Sequence, residues 1–450
     1  MEYVRKKVGF TMKKGNPWAL LPIAVFLVLF IAVGILDNRM GGMFGDSLPA
    51  IVGFLIALIV AFLQNPKGTK LTFEEKLNTM ARGAGEENIM IMCLVFILAG
   101  AFSASVKAAG GADATVNFGL SILPGNVAVV GVFIIGCFIS TSMGTSVGTI
   151  VALAPIAIGI SEKTGISMAL CIGAAVCGAM FGDNLSMISD TTIAATRTQG
   201  CAMKDKFREN FKIALPAAIV TAIIFFVSTM GTNYAPAEEL TYNVVRIIPY
   251  LVVLIGALVG LNVFLLLVGG TVLSLAIGIA YGDFGLLDIF KIMGDGIMSM
   301  YDITVISILV AGVVSLVRQN GGIDWILYMI RRCIHGKKGA EIGIAALSSV
   351  VDCSTANNTV AIVIAGPIAK EIAEDYDISP KRTASLLDIF TSTFQGIIPY
   401  GAQLLYAAAA TEMATQKISS VQIVPYCYYP ILLGVSALLF IIFGKETAKK

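Results

Sequence analysis

Residues 182–192 read GDNLSMISDTT, one residue after the uncharged stretch 166–180, ISMALCIGAAVCGAM. Asp183 and Asp190 therefore follow a long apolar run, in the company of Ser186, Ser189, Thr191 and Thr192. Two carboxylates with several hydroxyls make an oxygen-rich set, which suits a proton or a small hard cation. Three further stretches carry the same chemistry. Residues 140–146, STSMGTS, offer Ser142, Thr145 and Ser146, with Thr141 and Thr149 alongside. Residues 352–359, DCSTANNT, offer Asp352, Ser354, Asn357, Asn358 and Thr359. Residues 386–405, LLDIFTSTFQGIIPYGAQLL, offer Asp388 and Gln395 among the helix breakers Gly396, Pro399 and Gly401. No Lys or Arg lies within the four stretches to neutralise them.

From these we expect a cation- or proton-binding set of Asp183, Asp190, Ser186, Thr191 and Asp352, with Na⁺ held mainly by Asp183 and Asp190. Ser142, Thr145, Ser146, Ser354, Asn357, Asn358, Thr359 and Gln395 are the expected substrate contacts. Any single Ser or Thr among them could instead glue helices together, a common role in membrane bundles. The aspartates point more strongly to function, because an unpaired charge is an expensive glue. No other cofactor is expected.

Composition states where these residues must sit. The chain has 450 residues, of which 57% are hydrophobic and 13% charged, against about 25% charged in a soluble domain. Residues 17–36 and 421–443 are free of charge, and about 20 such residues cross a hydrocarbon core as a helix. The class is all-α and polytopic, because a β-barrel would show short alternating segments. The first run is longer than a signal-peptide core and no A-x-A-like site follows it, so it reads as a span. The eight cysteines are scattered without a C-x-x-C and read as packing residues, and the single histidine, His335, sits in the basic loop RRCIHGKK. Nothing suggests nucleic acid.

Further spans are expected near 48–63, 88–107, 125–139, 146–160, 166–194 and 211–230, then 244–260, 261–281, 298–317, 341–351, 355–373 and 382–406. The two series match. Ile97-Leu98, Lys107 and GGAD at 110–113 recur as Ile308-Leu309, Arg318 and GGID at 321–324; Pro155-Ile156-Ala157 recurs as Pro367-Ile368-Ala369, and Ile166-Ser167 as Ile378-Ser379. The near-constant offset argues for duplication: a tail at 1–16, a first transmembrane repeat at 17–230, an external linker at 231–243, a second repeat at 244–443 and a tail at 444–450. The short pairs 125–139/146–160 and 341–351/355–373 read as re-entrant hairpins, and Gly182 with Asp183-Asn184 and Gly396/Pro399/Gly401 read as breaks in discontinuous helices. Each half then crosses an odd number of times, so the second is inverted, a hallmark of secondary transporters.

Loop charge agrees with that topology. Arg5, Lys6, Lys7, Lys13 and Lys14 place the first tail in the cytoplasm, with the 64–87 loop, the 195–212 loop, RRCIHGKK and the Lys445/Lys449/Lys450 tail on the same side. The stretch around 231–243 is acidic and reads as external. The 371–382 loop, with Glu371, Glu374, Asp375 and Asp377, is the one misfit.

GDNLSMISDTT resembles the GD-x-x-S-P-x-SDTT pattern of the NhaC family of Na⁺/H⁺ antiporters, within the larger ion transporter superfamily. Gly182, Asp183, Ser186, Ser189, Asp190, Thr191 and Thr192 match, while Met187 stands where that family usually has proline. The resemblance runs over most of the chain and implies inverted repeats with re-entrant elements and sodium coupling. That family also includes exchangers of malate for lactate and carriers of amino acids.

The leading expectation is therefore a Na⁺/H⁺ antiporter of the plasma membrane, with both termini cytoplasmic. Burial disfavours the charged form of a carboxylate, so a proton and Na⁺ would contest Asp183 or Asp190, and the two repeats would rock around that site. The runner-up is Na⁺- or H⁺-coupled transport of a small organic solute, with a homodimer left open. An intramembrane aspartyl protease also needs two aspartates, and Met300-Tyr301-Asp302 faintly resembles its Tyr-Asp element, but no G-x-G-D follows and the duplication would be purposeless. A channel is disfavoured because no repeated carbonyl filter is visible.

Overall fold

The computed structural model describes residues 15–39, 48–66, 68–122, 125–186, 189–230, 241–258, 261–334 and 336–444. Among them the chain forms helices and no strand. The first half contains α1 (Leu21–Arg39), α2 (Ala50–Leu63), α3 (Phe73–Ala84), α4 (Glu87–Ala108), α5 (Gly111–Ile122), α6 (Gly125–Met143), α7 (Ser146–Thr164), α8 (Met168–Leu185), α9 (Asp190–Gln199) and α10 (Met203–Thr229). The second contains α11 (Val244–Leu258), α12 (Val263–Tyr281), α13 (Asp288–Met298), α14 (Tyr301–Gln319), α15 (Gly322–Cys333), α16 (Gly336–Thr355), α17 (Asn358–Asp375), α18 (Pro380–Gln395), α19 (Ala402–Ala409), α20 (Ser420–Ile423) and α21 (Tyr428–Phe443).

The order α4–α9 recurs as α14–α19, and the joints recur with it. Gly110 (φ 66°) and Gly321 (φ 83°) are both left-handed, directly before α5 and α15. Gly144 (φ 69°) and Ala356 (φ 50°) are the corresponding turns between α6 and α7 and between α16 and α17. The N-caps after those turns also match: Thr145 accepts from the Gly148 N–H and Asn357 from the Val360 N–H. Pro155 and Pro367 lie inside α7 and α17.

Among the described residues, five helical stretches are long and apolar enough to cross a membrane: Ile89–Ala108, Ser146–Thr164, Met168–Gln199, Met203–Thr229 and Val263–Tyr281. A sixth is reached if Ser420–Tyr426 and Tyr428–Phe443, bent by 52°, count as one. Large apolar side chains such as Ile223 and Val227 on α10 and Leu265 and Val272 on α12 are exposed, as lipid-facing positions should be. The chain is a multi-pass membrane protein.

The structure adds helices where the sequence suggested loops. α3 lies within the basic 64–87 stretch and starts with a capping box, in which the Thr72 N–H donates to Glu75 Oε2 at 2.7 Å and Thr72 Oγ1 accepts from the Glu75 N–H at 3.2 Å. The Thr72 donors hold the Glu75 carboxyl below its ordinary range. α5, α13 and α15 are also short, and α13 and α15 carry charge on one side, so a search for uncharged spans passes over them. Both basic tails, the 231–240 part of the acidic linker and His335 lie outside the described residues.

α8 sits at the centre, with Met168–Gln199 the most thoroughly enclosed span. Its closest neighbour is α6, and glycine allows the approach: a Cβ at Gly178 would lie 2.5 Å from the Phe133 carbonyl oxygen and 2.9 Å from Gly136 Cα. Small residues at such crossings are the usual means of close packing in lipid. A separate cluster joins α1 and α2 to α14, with Phe26 stacked on Phe54 at 3.8 Å and Tyr400 edge-on at 5.7 Å. Gly178→Ala should cost about 1–3 kcal/mol by overpacking, read as a lowered detergent melting temperature. Gly269→Ala, where an added Cβ meets nothing within 4 Å, should leave the melt unchanged or slightly raised.

Candidate functional site

The break after α8 is built by the hydroxyls of GDNLSMISDTT. Ser186 is extended (φ −75°, ψ 136°), and α9 restarts at Asp190 behind the Ser189 cap, whose side chain accepts from the Thr192 N–H. The carbonyls freed at the end of α8 find partners locally. Gly182 O accepts from the Ser186 N–H at 2.7 Å. Asp183 O accepts from the Ser189 and Thr191 hydroxyls, each at 3.2 Å, and Ser186 O from the Thr192 hydroxyl at 2.8 Å. Ser186, Ser189, Thr191 and Thr192 are all buried.

Asp183 is 4% exposed and is held between the two turns. Its Oδ1 accepts from the Ser146 N–H at the start of α7 at 3.1 Å, and its Oδ2 from Asn358 Nδ2 at the start of α17 at 3.4 Å. Helix N-termini carry partial positive charge, so a carboxylate is tolerated there. From the second break, Gln395 Nε2 donates to Gln403 Oε1 at 2.6 Å and to Ala356 O at 3.2 Å. Gln403 Nε2 in turn donates to Ser146 Oγ at 3.0 Å. Those two acceptors fix the Gln395 amide, and its Oε1 is buried with no hydrogen-bond partner among the described residues.

These groups line a cavity of about 280 Å³. Of the residues singled out in sequence, Thr145, Ser146, Asn357, Asn358, Thr359, Gln395, Asp183, Asp190 and Thr191 line it. Ile91, Met92 and Val95 of α4 and Val263 and Phe264 at the start of α12 form an apolar wall. Among the described residues, Asp183 and Asp190 are the only charged ones in the lining. Among the described residues no three His, Cys, Asp or Glu side chains gather at one point, so a cation beside Asp183 would be completed by neutral oxygens such as Gln395 Oε1.

Several expected residues are placed differently. Asp190, the first residue of α9, lines the cavity but is exposed. Asp352 is fully buried and does not line the cavity, since it sits a turn behind the α16–α17 turn. Ser354 faces away: its hydroxyl donates to Val350 O at 2.7 Å, and it borders a small void beside Phe26 and Tyr400. Ser186 contributes to the break rather than to the lining. The Ser142 side chain lies outside the described residues.

The absence of a basic group near the clusters is corrected by Lys206. It belongs to α10 and reads in sequence as one of the loop cations at 195–212, yet it is 0% exposed. Its ammonium lies 2.8 Å from Asp388 Oδ2 and donates to Asn184 O at 3.1 Å and to the Thr192 hydroxyl at 2.7 Å. Asn210 donates to the same Asp388 oxygen at 2.7 Å, and the Tyr429 hydroxyl to Asn184 Oδ1 at 3.0 Å. A cation at the C-terminal end of α8 suits the helix dipole. The pair thus ties both arms of the first break to α18 of the second half. A second buried pair, Arg382 with Glu341 at 3.1 Å, closes α16 on α18 at the far end. Gln403 was also passed over in sequence, although it stands at the repeat offset from Thr191.

A profile of the Na⁺/H⁺ antiporter family matches residues 11–230 and again residues 228–445. The chain belongs to that family. The Na⁺/H⁺ antiporter NhaC of Bacillus subtilis (strain 168) is 23% identical over 80% of this chain and 84% of its own length. The malate-2H⁺/Na⁺-lactate antiporter of the same organism is 23% identical over 82% of this chain and 85% of its own. The arginine/ornithine antiporter ArcD of Halobacterium salinarum is 22% identical over 95% and 91%. Among solved structures, the Alcanivorax borkumensis YdaH transporter is similar with a TM-score of 0.42 at 13% identity, over 95% of this chain and 99% of that one. This family member is a secondary antiporter and not an enzyme, as those relatives are.

Lys206→Met strands the Asp388 charge in the interior and should cost about 3–5 kcal/mol, measured as the melting temperature of purified protein. Adding Asp388→Leu to it should recover part of that loss. A melt unchanged by Lys206→Met would show that the pair does not hold the break.

Proposed function

We propose that this antiporter exchanges Na⁺ for H⁺ at Asp183. The observation that carries the reading is a carboxylate buried at the junction of both turns and both broken helices, facing a cavity with no basic residue among the described residues of its lining. Lys206 and Asp388 neutralise each other behind it, which leaves Asp183 as the charge to be compensated. A proton does so covalently. Na⁺ does so with the carboxylate, the Gln395 amide oxygen and hydroxyls such as Thr191 as ligands. The two cannot share the site, and that exclusion is what couples their movements.

Alternating access follows from which elements meet there. Two contacts that close on the cavity join the halves: Asn358 to Asp183, and Gln403 to Ser146. In this reading the halves are inverted copies that rock against each other in the plasma membrane, both termini are cytoplasmic, and these hydrogen bonds break and re-form in each cycle. Asp190, exposed at the cavity, attracts cations to the entrance.

The cavity also favours a second reading. About 280 Å³ exceeds what a Na⁺ and a few waters occupy, at about 30 Å³ per water. Asn357, Asn358, Gln395 and Gln403 give it an amide-rich second-half side. A small organic solute could fill it alongside the ion, as in the malate/lactate and arginine/ornithine relatives.

In proteoliposomes with an internal pH dye, external Na⁺ alone should drive proton movement if the first reading holds. Proton movement that waits for a malate, lactate or amino acid addition would favour the second. Asp183→Asn should abolish the flux under either, whereas Asp190→Asn should weaken apparent Na⁺ affinity without abolishing it. Lowering pH should raise the Na⁺ concentration needed for half-maximal flux, because the proton competes. An unchanged flux in Asp183→Asn would remove this residue from the site.

A further inference from the structure

Asp352 is a second buried carboxyl that the exchange site does not use. It lies in the last turns of α16, is 0% exposed, and neither of its oxygens has a hydrogen-bond partner among the described residues. The buried ammonium of Lys206 is taken by Asp388. Arg382 is taken by Glu341, which sits at the opposite end of α16, roughly 16 Å away along the helix. The titratable groups beside it are neutral ones: Cys353 on its own helix, and Tyr400, whose hydroxyl donates to Cys353 O at 2.7 Å. The helices packed against α16 bring their charges elsewhere. α14 carries Asp302 and Arg318 at its exposed ends, α15 exposes Asp324, and the 370–375 charges of α17 lie at its far end.

The first half shows what this position needs for folding alone. At the repeat offset Asp352 corresponds to Ser140, which is also 0% exposed and whose hydroxyl donates to the Ala179 carbonyl of α8. A small neutral donor therefore suffices at this register. An ionised carboxylate with no donor would cost several kcal/mol in the interior. A protonated carboxyl instead supplies one O–H, which can bond a carbonyl one turn back. Ser348, Ser354 and Thr355 of the same helix do this, to Ile344, Val350 and Val351. What a carboxyl adds over the serine of the first half is the ability to lose its proton.

Its placement links that ability to the cavity. The Ala356 N–H donates to Asp352 O at 2.8 Å. Ala356 forms the left-handed turn, lines the cavity, and accepts from Gln395 through its own carbonyl. A change in the α16–α17 turn therefore moves Asp352, and wetting of that turn would open it to water.

We propose that Asp352 is a second proton carrier of the exchange, separate from the cation cavity, loaded in the conformation seen here and discharged to water in the opposite one. On release the O–H bond breaks, the proton passes to water and the carboxylate remains, to be reprotonated from the other side. One Na⁺ then moves against two protons, one from Asp183 and one from Asp352, so each cycle carries net charge. The stoichiometry rests on the exchange assigned to Asp183; the protonation of Asp352 does not.

Proton-to-sodium ratios follow from null-point measurements in proteoliposomes at set Na⁺, pH and potassium-diffusion gradients, on wild type, Asp352→Asn and Asp352→Ser. Serine is the residue that the first half already carries at this register. Wild type should balance at two protons per Na⁺ and respond to membrane potential, whereas both variants should balance at one and ignore it, with Na⁺-dependent thermal stabilisation retained. Loss of exchange with that stabilisation intact would also support the proposal, since the proton would then be obligatory. An unchanged ratio in both variants overturns it. Absence of Na⁺-driven proton movement in wild type instead overturns the assignment to Asp183, and infrared spectroscopy then decides Asp352 alone. A carboxylic-acid C=O band at neutral pH that disappears in Asp352→Ser is expected, and its absence from wild type contradicts the proposal.

Discussion

A buried carboxylate that lines the cavity with no counter-ion among the described residues organises the site. Asp183 is enclosed where two turns and two helix breaks meet, and its two oxygens are served by one backbone N–H and one amide. Two such hydrogen bonds, aided by the start of α7, lower the cost of burying the charge but do not cancel it. In the exchange proposed above, the remaining compensation comes from a proton or Na⁺ that enters and leaves. That exchange would account for a lining that, among the described residues, is rich in neutral oxygens, has no Lys or Arg and draws on both halves.

The polar groups around the break divide into those that build and those that remain available. The hydroxyls of Ser189, Thr191 and Thr192 replace the backbone hydrogen bonds lost between α8 and α9. Lys206 and Asp388 lock the same region to α10 and α18. Such a pair adds little net stability, because desolvation offsets much of the Coulomb gain; its use is to fix where the broken ends point. Gln395 lines the cavity, and its Oε1 has no hydrogen-bond partner among the described residues. Rigid construction behind the site and open valence in front of it are what a carrier needs, since a cation must be held in defined geometry and still released.

Much of this was legible in the sequence, for identifiable reasons. Charge-free runs marked the long helices, and the offset between Pro155 and Pro367 marked the recurrence of α4–α9 as α14–α19. Carboxylates and amides following apolar runs marked Asp183, Asp190, Asn357, Asn358 and Gln395 of the cavity lining. Periodicity could not show the direction of a side chain, which is why Ser354 and Asp352 were grouped with the lining although they point elsewhere. Asp190 sits in the right motif but is itself exposed, although Thr191 and Thr192 beside it are buried. Lys206 was hidden because a lysine in a basic loop normally stays in water; only the fold shows α10 beginning early enough to carry it inward. Short amphipathic helices such as α3 were hidden because charge on one face breaks up the apolar count.

The central claim is that a proton and Na⁺ occupy Asp183 in turn. Calorimetric Na⁺ titration of the purified protein, repeated in buffers of different ionisation enthalpy, measures how many protons leave as Na⁺ binds. Release of a proton on Na⁺ binding in wild type, with neither binding nor release in Asp183→Asn, is the predicted result. Na⁺ binding without proton release, or equal binding by the asparagine variant, would contradict it.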